Sequence, residues 1–217
     1  MPAFAFVGAF VSVGITILLT WRNNKLDTTT LLLAGVAVSM LLGAFTSGIL
    51  TMINEYRLRE FLFWMVGGLD FRRWDHVLLA VGPIMMGSVV LMLLGRHLNV
   101  LVLGDTEARA LGVPVMVYRM LFLFLASVVT ATAVCVSGSI GFVGLVVPHI
   151  VRLLVGPDHR ILLPMAAVGG AFFLVFCDTL GRIVAQPVEI RVGIMTALLG
   201  APYFLYLLHR LRSKGGA

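Results

Sequence analysis

Side chains that could act on a partner or a substrate are few in this sequence, and one group of them falls in GDTEARALGVP, residues 104–114. Asp105 or Thr106 is placed to cap the start of a helix, and Gly112 followed by Pro114 to stop it, so the stretch reads as about two turns. An isolated helix needs on the order of 12–15 residues to persist in water, so something must hold this one. A second group lies in GSIGFVGLVVPHIVRLLVGPDHRILLP, residues 138–164. There Gly141, Gly144 and Pro148 loosen a helix that also carries His149 and Arg152. Ionisable groups in an apolar helix are costly unless they face a cavity or a partner, and glycine-rich, broken helices are what transporters use to line a path. His149 has no second His or Cys nearby, so it reads as a packing residue and not as a metal ligand. Cys135 and Cys177 lack metal spacing and read as small apolar residues. The chain contains no G-x-x-x-x-G-K-[ST] loop, no H-E-x-x-H and no G-x-S-x-G, so it is not read as an enzyme.

The elements that must position these groups follow from composition. Of the residues, 60% are hydrophobic and 12% charged, and the mean hydropathy is +1.05. A soluble domain carries about 25% charged residues, so the class is an all-α polytopic membrane protein. A helical span needs ~20 mostly apolar residues. Seven candidates occur, at 3–20, 31–53, 77–95, 120–137, 140–155, 161–184 and 192–208. They are long and continuous where barrel strands would alternate, and residues 1–217 are read as a single transmembrane domain.

With seven spans, one loop assignment fixes the others. Placing the tail HRLRSKGGA in the cytoplasm collects ten Lys and Arg on that side, Arg22, Lys25, Arg96, Arg109, Arg119, Arg152, Arg160, Arg210, Arg212 and Lys214. The outer side keeps six, Arg57, Arg59, Arg72, Arg73, Arg182 and Arg191, beside six acids. The positive-inside rule favours this orientation, and it accounts for the net charge of +6 without a nucleic-acid partner. The loop between spans three and four then lies inside. It reads as an apolar mini-helix over 98–103, a glycine, and a polar mini-helix over 106–111. Such a pair is either an ordinary interfacial loop or a surface element that a partner can push.

Taken together, LLLAGVA (31–37), WMVGGLD (64–70), LNVLVLGDTEARALGVP, the 138–164 stretch and VGIMTALLGAPYFLYLL resemble the permease subunits of ABC importers for iron–siderophore, haem and cobalamin. The similarity runs over essentially the whole chain, in order. It implies that Leu98, Leu103, Gly104, Glu107, Ala108, Arg109, Ala110, Gly112 and Pro114 belong to coupling helices that dock in a cleft of the ATPase. Thr28 and Thr29 match a cytoplasmic gate, and also read as a helix cap in DTTT. Arg182 matches an arginine that docks the substrate-binding protein, with Asp178, four residues earlier, as its competitor. Arg191 stands where the family usually has proline, and could add a second docking charge. The implied partners are a second permease copy (homo- or heterodimer), two cytoplasmic ABC ATPases that hold ATP and Mg, and a periplasmic or lipid-anchored binding protein. No cofactor is expected on this chain. The implied site is the bacterial inner membrane, crossed several times, with the C-terminus cytoplasmic. Members of that family have ten spans, so this chain is expected to begin near their fourth span, as a fragment, through a miscalled start, or with the remainder supplied separately. The rival readings are an ion-coupled carrier, which would want acids near the middle of several spans, and a non-transporting assembly subunit.

Overall fold

The computed structural model describes residues 2–21, 28–70, 72–184, 186–187 and 189–214. Its elements among these are helices: α1 (Pro2–Thr20), α2 (Thr28–Leu50), α3 (Glu55–Met65), α4 (Trp74–Leu93), α5 (Gly95–Val102), α6 (Asp105–Ala110), α7 (Val115–Ser137), α8 (Val143–Val155), α9 (His159–Val184) and α10 (Val192–Lys214). The all-α membrane bundle expected from composition is what the chain forms. Among the described residues, Thr29–Leu50, Trp74–Leu93, Val115–Ser137 and His159–Val184 are long and apolar enough to cross a membrane. Phe6–Thr20, Val143–Val155 and Val192–Leu207 are apolar but shorter.

Several hydroxyl groups in these apolar helices are satisfied within their own helix. Those of Ser12, Thr16, Thr20, Thr46, Ser127, Thr132 and Thr179 each donate to a carbonyl one turn earlier. Satisfying polar groups within the helix is what a hydrocarbon environment requires.

Several expected boundaries move, each for a local reason. The fourth span begins at Val115, not 120, because the Pro114 carbonyl accepts the N–H groups of Val117 and Tyr118 and starts the helix at once. The fifth begins at Val143, not 140, because Gly138 (φ 74°) and Phe142 (φ 65°) take left-handed backbone conformations that a helix cannot contain. At 13 residues and 1.5 Å per residue, α8 reaches about 20 Å, short of the ~30 Å hydrocarbon thickness. The apolar mini-helix begins at Gly95 and not at 98, and the polar one ends at Ala110. Helix α3 was not expected from the sequence at all.

The chain contacts divide into two compact units. Unit 1 takes Met1–Phe63, Trp74–Leu91 and Val100–Val136. In it α1 packs on α2, the Phe10 and Phe124 rings lie 6.0 Å apart, and Gly87 gives α4 room against Val129 of α7. Unit 2 takes Trp64–Arg73, Met92–Asn99 and Ser137–Ala217. In it α9 packs on both α8 and α10. Val147, Val151 and Leu162 form one buried cluster, and Cys177, Val192 and Met195 another. Backbone meets backbone between them and the Trp64–Arg73 segment. A Cβ on Gly193 would strike the Val66 carbonyl oxygen, and one on Gly138 the Trp64 carbonyl oxygen. Cys135 and Cys177 are buried free thiols, as small apolar residues would be.

Candidate functional site: the α5–α6 loop and the charge cluster at the end of α9

The polar mini-helix α6 is held by its own chain through devices that differ in part from the expected ones. Its N-cap is Gly104 (φ 120°, ψ 158°), with no side-chain capping bond. Asp105 and Thr106 do not cap it. The Asp105 carboxylate is instead drawn to Arg119 of α7, whose Nη2 donates to Oδ1 at 2.6 Å. A guanidinium offers a charged, directional bond that outcompetes a capping geometry. At the other end the expected termination holds. Gly112 has φ 77°, its N–H donates to the Arg109 carbonyl at 2.9 Å, and the Val113 N–H donates to the Ala108 carbonyl at 3.0 Å. That paired closure is the Schellman arrangement. Ala108 is fully buried, while Glu107, Arg109, Ala110 and Gly112 are exposed.

What surrounds α6 matters as much as what holds it. Val102, Leu103 and Leu111 are 71%, 62% and 64% exposed beside Glu107 and Arg109. Exposed apolar side chains interleaved with charges are the composition of a surface that another protein covers. Leu98 lies half-buried in α5, and Pro114 is exposed at the head of α7.

The middle of α5 is tied to the start of α9. Asn99 Nδ2 donates to Asp158 Oδ1 at 2.7 Å, and the His159 N–H donates to Asn99 Oδ1 at 2.9 Å. The Arg160 N–H, and then the Asn99 amide, hold the Asp158 carboxyl below its ordinary carboxylate value. Neither Asn99 nor Asp158 was singled out from the sequence; the polar pentad GPDHR after span five was the available signal.

A charge cluster closes the other end of α9. Arg182 Nε donates to Asp178 Oδ2 at 2.8 Å, and its Nη2 lies 3.5 Å from Asp70 Oδ1. Arg191 approaches from the loop before α10. A Cβ built on Gly68 would lie 3.2 Å from both Arg191 Nη1 and Asp70 Oδ2. The structure thus brings Arg182 and Arg191 to one place around Asp70, and the competitor Asp178 is indeed paired. Arg182 is still about half-exposed.

Of the two threonines matched to a gate, Thr29 is exposed at the start of α2. The Thr28 side chain, Asp27 of the DTTT cap, Arg22 and Lys25 lie outside the described residues. Nε2 of His149 is buried without a hydrogen-bond partner, and its ring lies 6.5 Å from that of Tyr203. Among the described residues no three His, Cys, Asp or Glu side chains group as a metal site would need.

The sequence model of the FecCD transport family matches residues 1–210. The chain is 49% identical over 205 residues to the cobalamin import system permease protein of Halobacterium salinarum, covering 94% of this chain and 54% of that protein. It is 44% identical over 212 residues to the hemin transport system permease protein of Yersinia pestis, covering 97% of this chain and 63% of that one. A solved structure described as an inward-facing conformation of a metal-chelate type ABC transporter superposes with a TM-score of 0.88 at 33% identity. That likeness covers 94% of this chain and 65% of the other. The chain spans between about half and just under two thirds of the length of these relatives.

Proposed function

The chain belongs to the FecCD transport family, and on that premise we propose that it works as the permease subunit of an ATP-binding-cassette importer. Its cargo is an iron–siderophore, haem or cobalamin-like compound, the class named for its relatives. Two copies, or this chain and a related one, surround a central passage in a bacterial inner membrane. The C-terminus and α6 face the cytoplasm, where two ATPase subunits hold ATP and Mg and supply the energy. Specificity rests mainly in a binding protein that docks near Arg182 and Arg191, and Thr28 and Thr29 narrow the inner mouth.

The observation that carries this reading is α6. A six-residue helix with a buried alanine beneath and Val102, Leu103 and Leu111 exposed around charges presents the kind of surface a cleft covers. In the orientation that the Lys and Arg count favours, this patch lies on the cytoplasmic side, where an ATPase subunit can reach it. The ion-coupled alternative lacks a carboxylate at mid-span: Asp178 lies toward the end of α9 and is paired with Arg182.

Reconstitution tests the proposal. The chain, with an ABC ATPase and a binding protein from the same organism, is placed in vesicles loaded with ATP and offered labelled cobalamin, haem and ferric siderophore. Uptake of one of these that stops with a non-hydrolysable nucleotide is expected. Uptake driven by an ion gradient in the absence of ATP would overturn the reading.

A further inference from the structure

We propose that Asn99 is a clamp that makes the first part of α5, residues 95–99, move as one body with α9, so that a displacement of this part of the coupling loop reaches α9 and α8. This inference rests on the permease reading above and specifies how that permease is driven.

The first four N–H groups of a helix have no partner within it. In α9 the Ile161 and Leu162 N–H groups donate to the Asp158 carbonyl at 3.1 and 2.9 Å. The Arg160 N–H donates to Asp158 Oδ1 at 2.9 Å. Asp158 therefore caps three of the four from within its own turn. The remaining one, of His159, is met by a side chain 60 residues earlier in the chain, Asn99.

Asn99 is held in one orientation. Its Nδ2 donates to the Asp158 carboxylate, which leaves Oδ1 to face α9. There it takes the His159 N–H and also lies 2.7 Å from His159 Nδ1. An amide oxygen can only accept, so His159 must carry its proton on Nδ1 for that contact to be a bond. One side chain thus engages the carboxylate, the backbone and the ring at the helix start.

The two helices also touch directly. Gly95 lies one turn before Asn99 on α5, and a Cβ there would sit 3.2 Å from the His159 carbonyl oxygen and 3.3 Å from Arg160 Cα. Hydrogen bonds between 2.7 and 2.9 Å are directional, and a slip of about 1 Å breaks them.

Beyond the clamp the path continues through packed side chains. Leu162, in the first turn of α9, belongs to the buried cluster with Val147 and Val151 of α8. Gly169 lets α9 lie close against Val147 and Val151. Small residues at such crossings bring helix backbones together. A displacement of residues 95–99 is therefore delivered to α9 and α8.

The test measures substrate carried per ATP hydrolysed in reconstituted vesicles. Asn99→Asp keeps the shape of the side chain but turns the Nδ2 donor into an acceptor facing the Asp158 carboxylate. The ratio is expected to fall about tenfold or more, the scale of losing a charge-assisted bond and gaining a repulsion. The exchange Asn99→Asp with Asp158→Asn restores a donor facing an acceptor, and should return most of the ratio. A second arm forms a disulfide across the clamp from Gly95→Cys and Arg160→Cys; helices that move together should transport as well oxidised as reduced. An unchanged ratio in Asn99→Asp, or transport abolished by the crosslink, overturns the proposal. If Asn99→Asp does not assemble, the crosslink alone decides. Wild-type vesicles that show no ATP-driven uptake would instead refute the permease reading, and the clamp's role in transport with it.

Discussion

Replacing Gly112 separates the cost of backbone conformation from every other effect. Its φ of 77° is a region that side chains with a Cβ seldom occupy, yet a Cβ built there meets nothing within 4 Å. Gly112→Ala should therefore carry only the left-handed penalty, about 1–2 kcal/mol. Gly112→Val adds β-branch crowding, and by forcing the backbone away it also loosens the bonds to the Arg109 and Ala108 carbonyls. A loss of 1–2 kcal/mol corresponds to about a 5–30-fold drop in the ordered form of the loop. ATP hydrolysis stimulated by the binding protein in the reconstituted complex should fall in the order wild type, Ala, Val, while membrane insertion is retained. Gly82 is the control, because it too has open space for a Cβ and has no positive φ; Gly82→Ala should leave coupling unchanged. Wild-type stimulation in Gly112→Val would refute the claim that this helix end transmits coupling.

Three further outcomes are expected. Cysteine placed at Thr29 should crosslink between two copies of the permease in a nucleotide-dependent way, and failure to crosslink in any nucleotide state would put the gate elsewhere. Arg182→Glu sets a third carboxylate beside Asp178 and Asp70; binding-protein association should weaken, more at low salt than at high, and a reversed charge on the partner should restore part of it. If only the melting temperature falls and no partner change rescues binding, Arg182 serves the internal cluster alone. Gly193→Ala drives a methyl into the Val66 carbonyl oxygen and should destabilise the protein by about 2–4 kcal/mol, read as a lower melting temperature in detergent; an unchanged value would mean that the close approach is not needed.

Hydropathy made the long spans legible, because in lipid every residue of a crossing helix must be apolar or satisfied, and that constraint is written continuously in the sequence. The end of α6 was legible too, since Gly-Val-Pro leaves few other conformations. Contacts distant in sequence were not. Asp105 is a good cap by type, and only the presence of Arg119, 14 residues on, redirects it. The start of α8 depends on Phe142 adopting a positive φ, which its residue type argues against. Helix α3, EYRLREFLFWM, carries four charged residues among its apolar ones, so it resembles a loop on a hydropathy scale. The meeting of Arg182, Arg191 and Asp70, and the Asn99 clamp, join segments that no local pattern connects.

The central claim is that an ATPase acts on this chain through α6. A photo-reactive residue placed at the exposed position Arg109, and separately at exposed Leu111, tests it most directly in the assembled complex. Both should capture the ATPase subunit, and the yield should change when ATP is bound, while the same probe at the exposed Tyr56 of α3 should not capture it. Capture of lipid alone from Arg109 and Leu111, with the ATPase present and hydrolysing ATP, would contradict the claim.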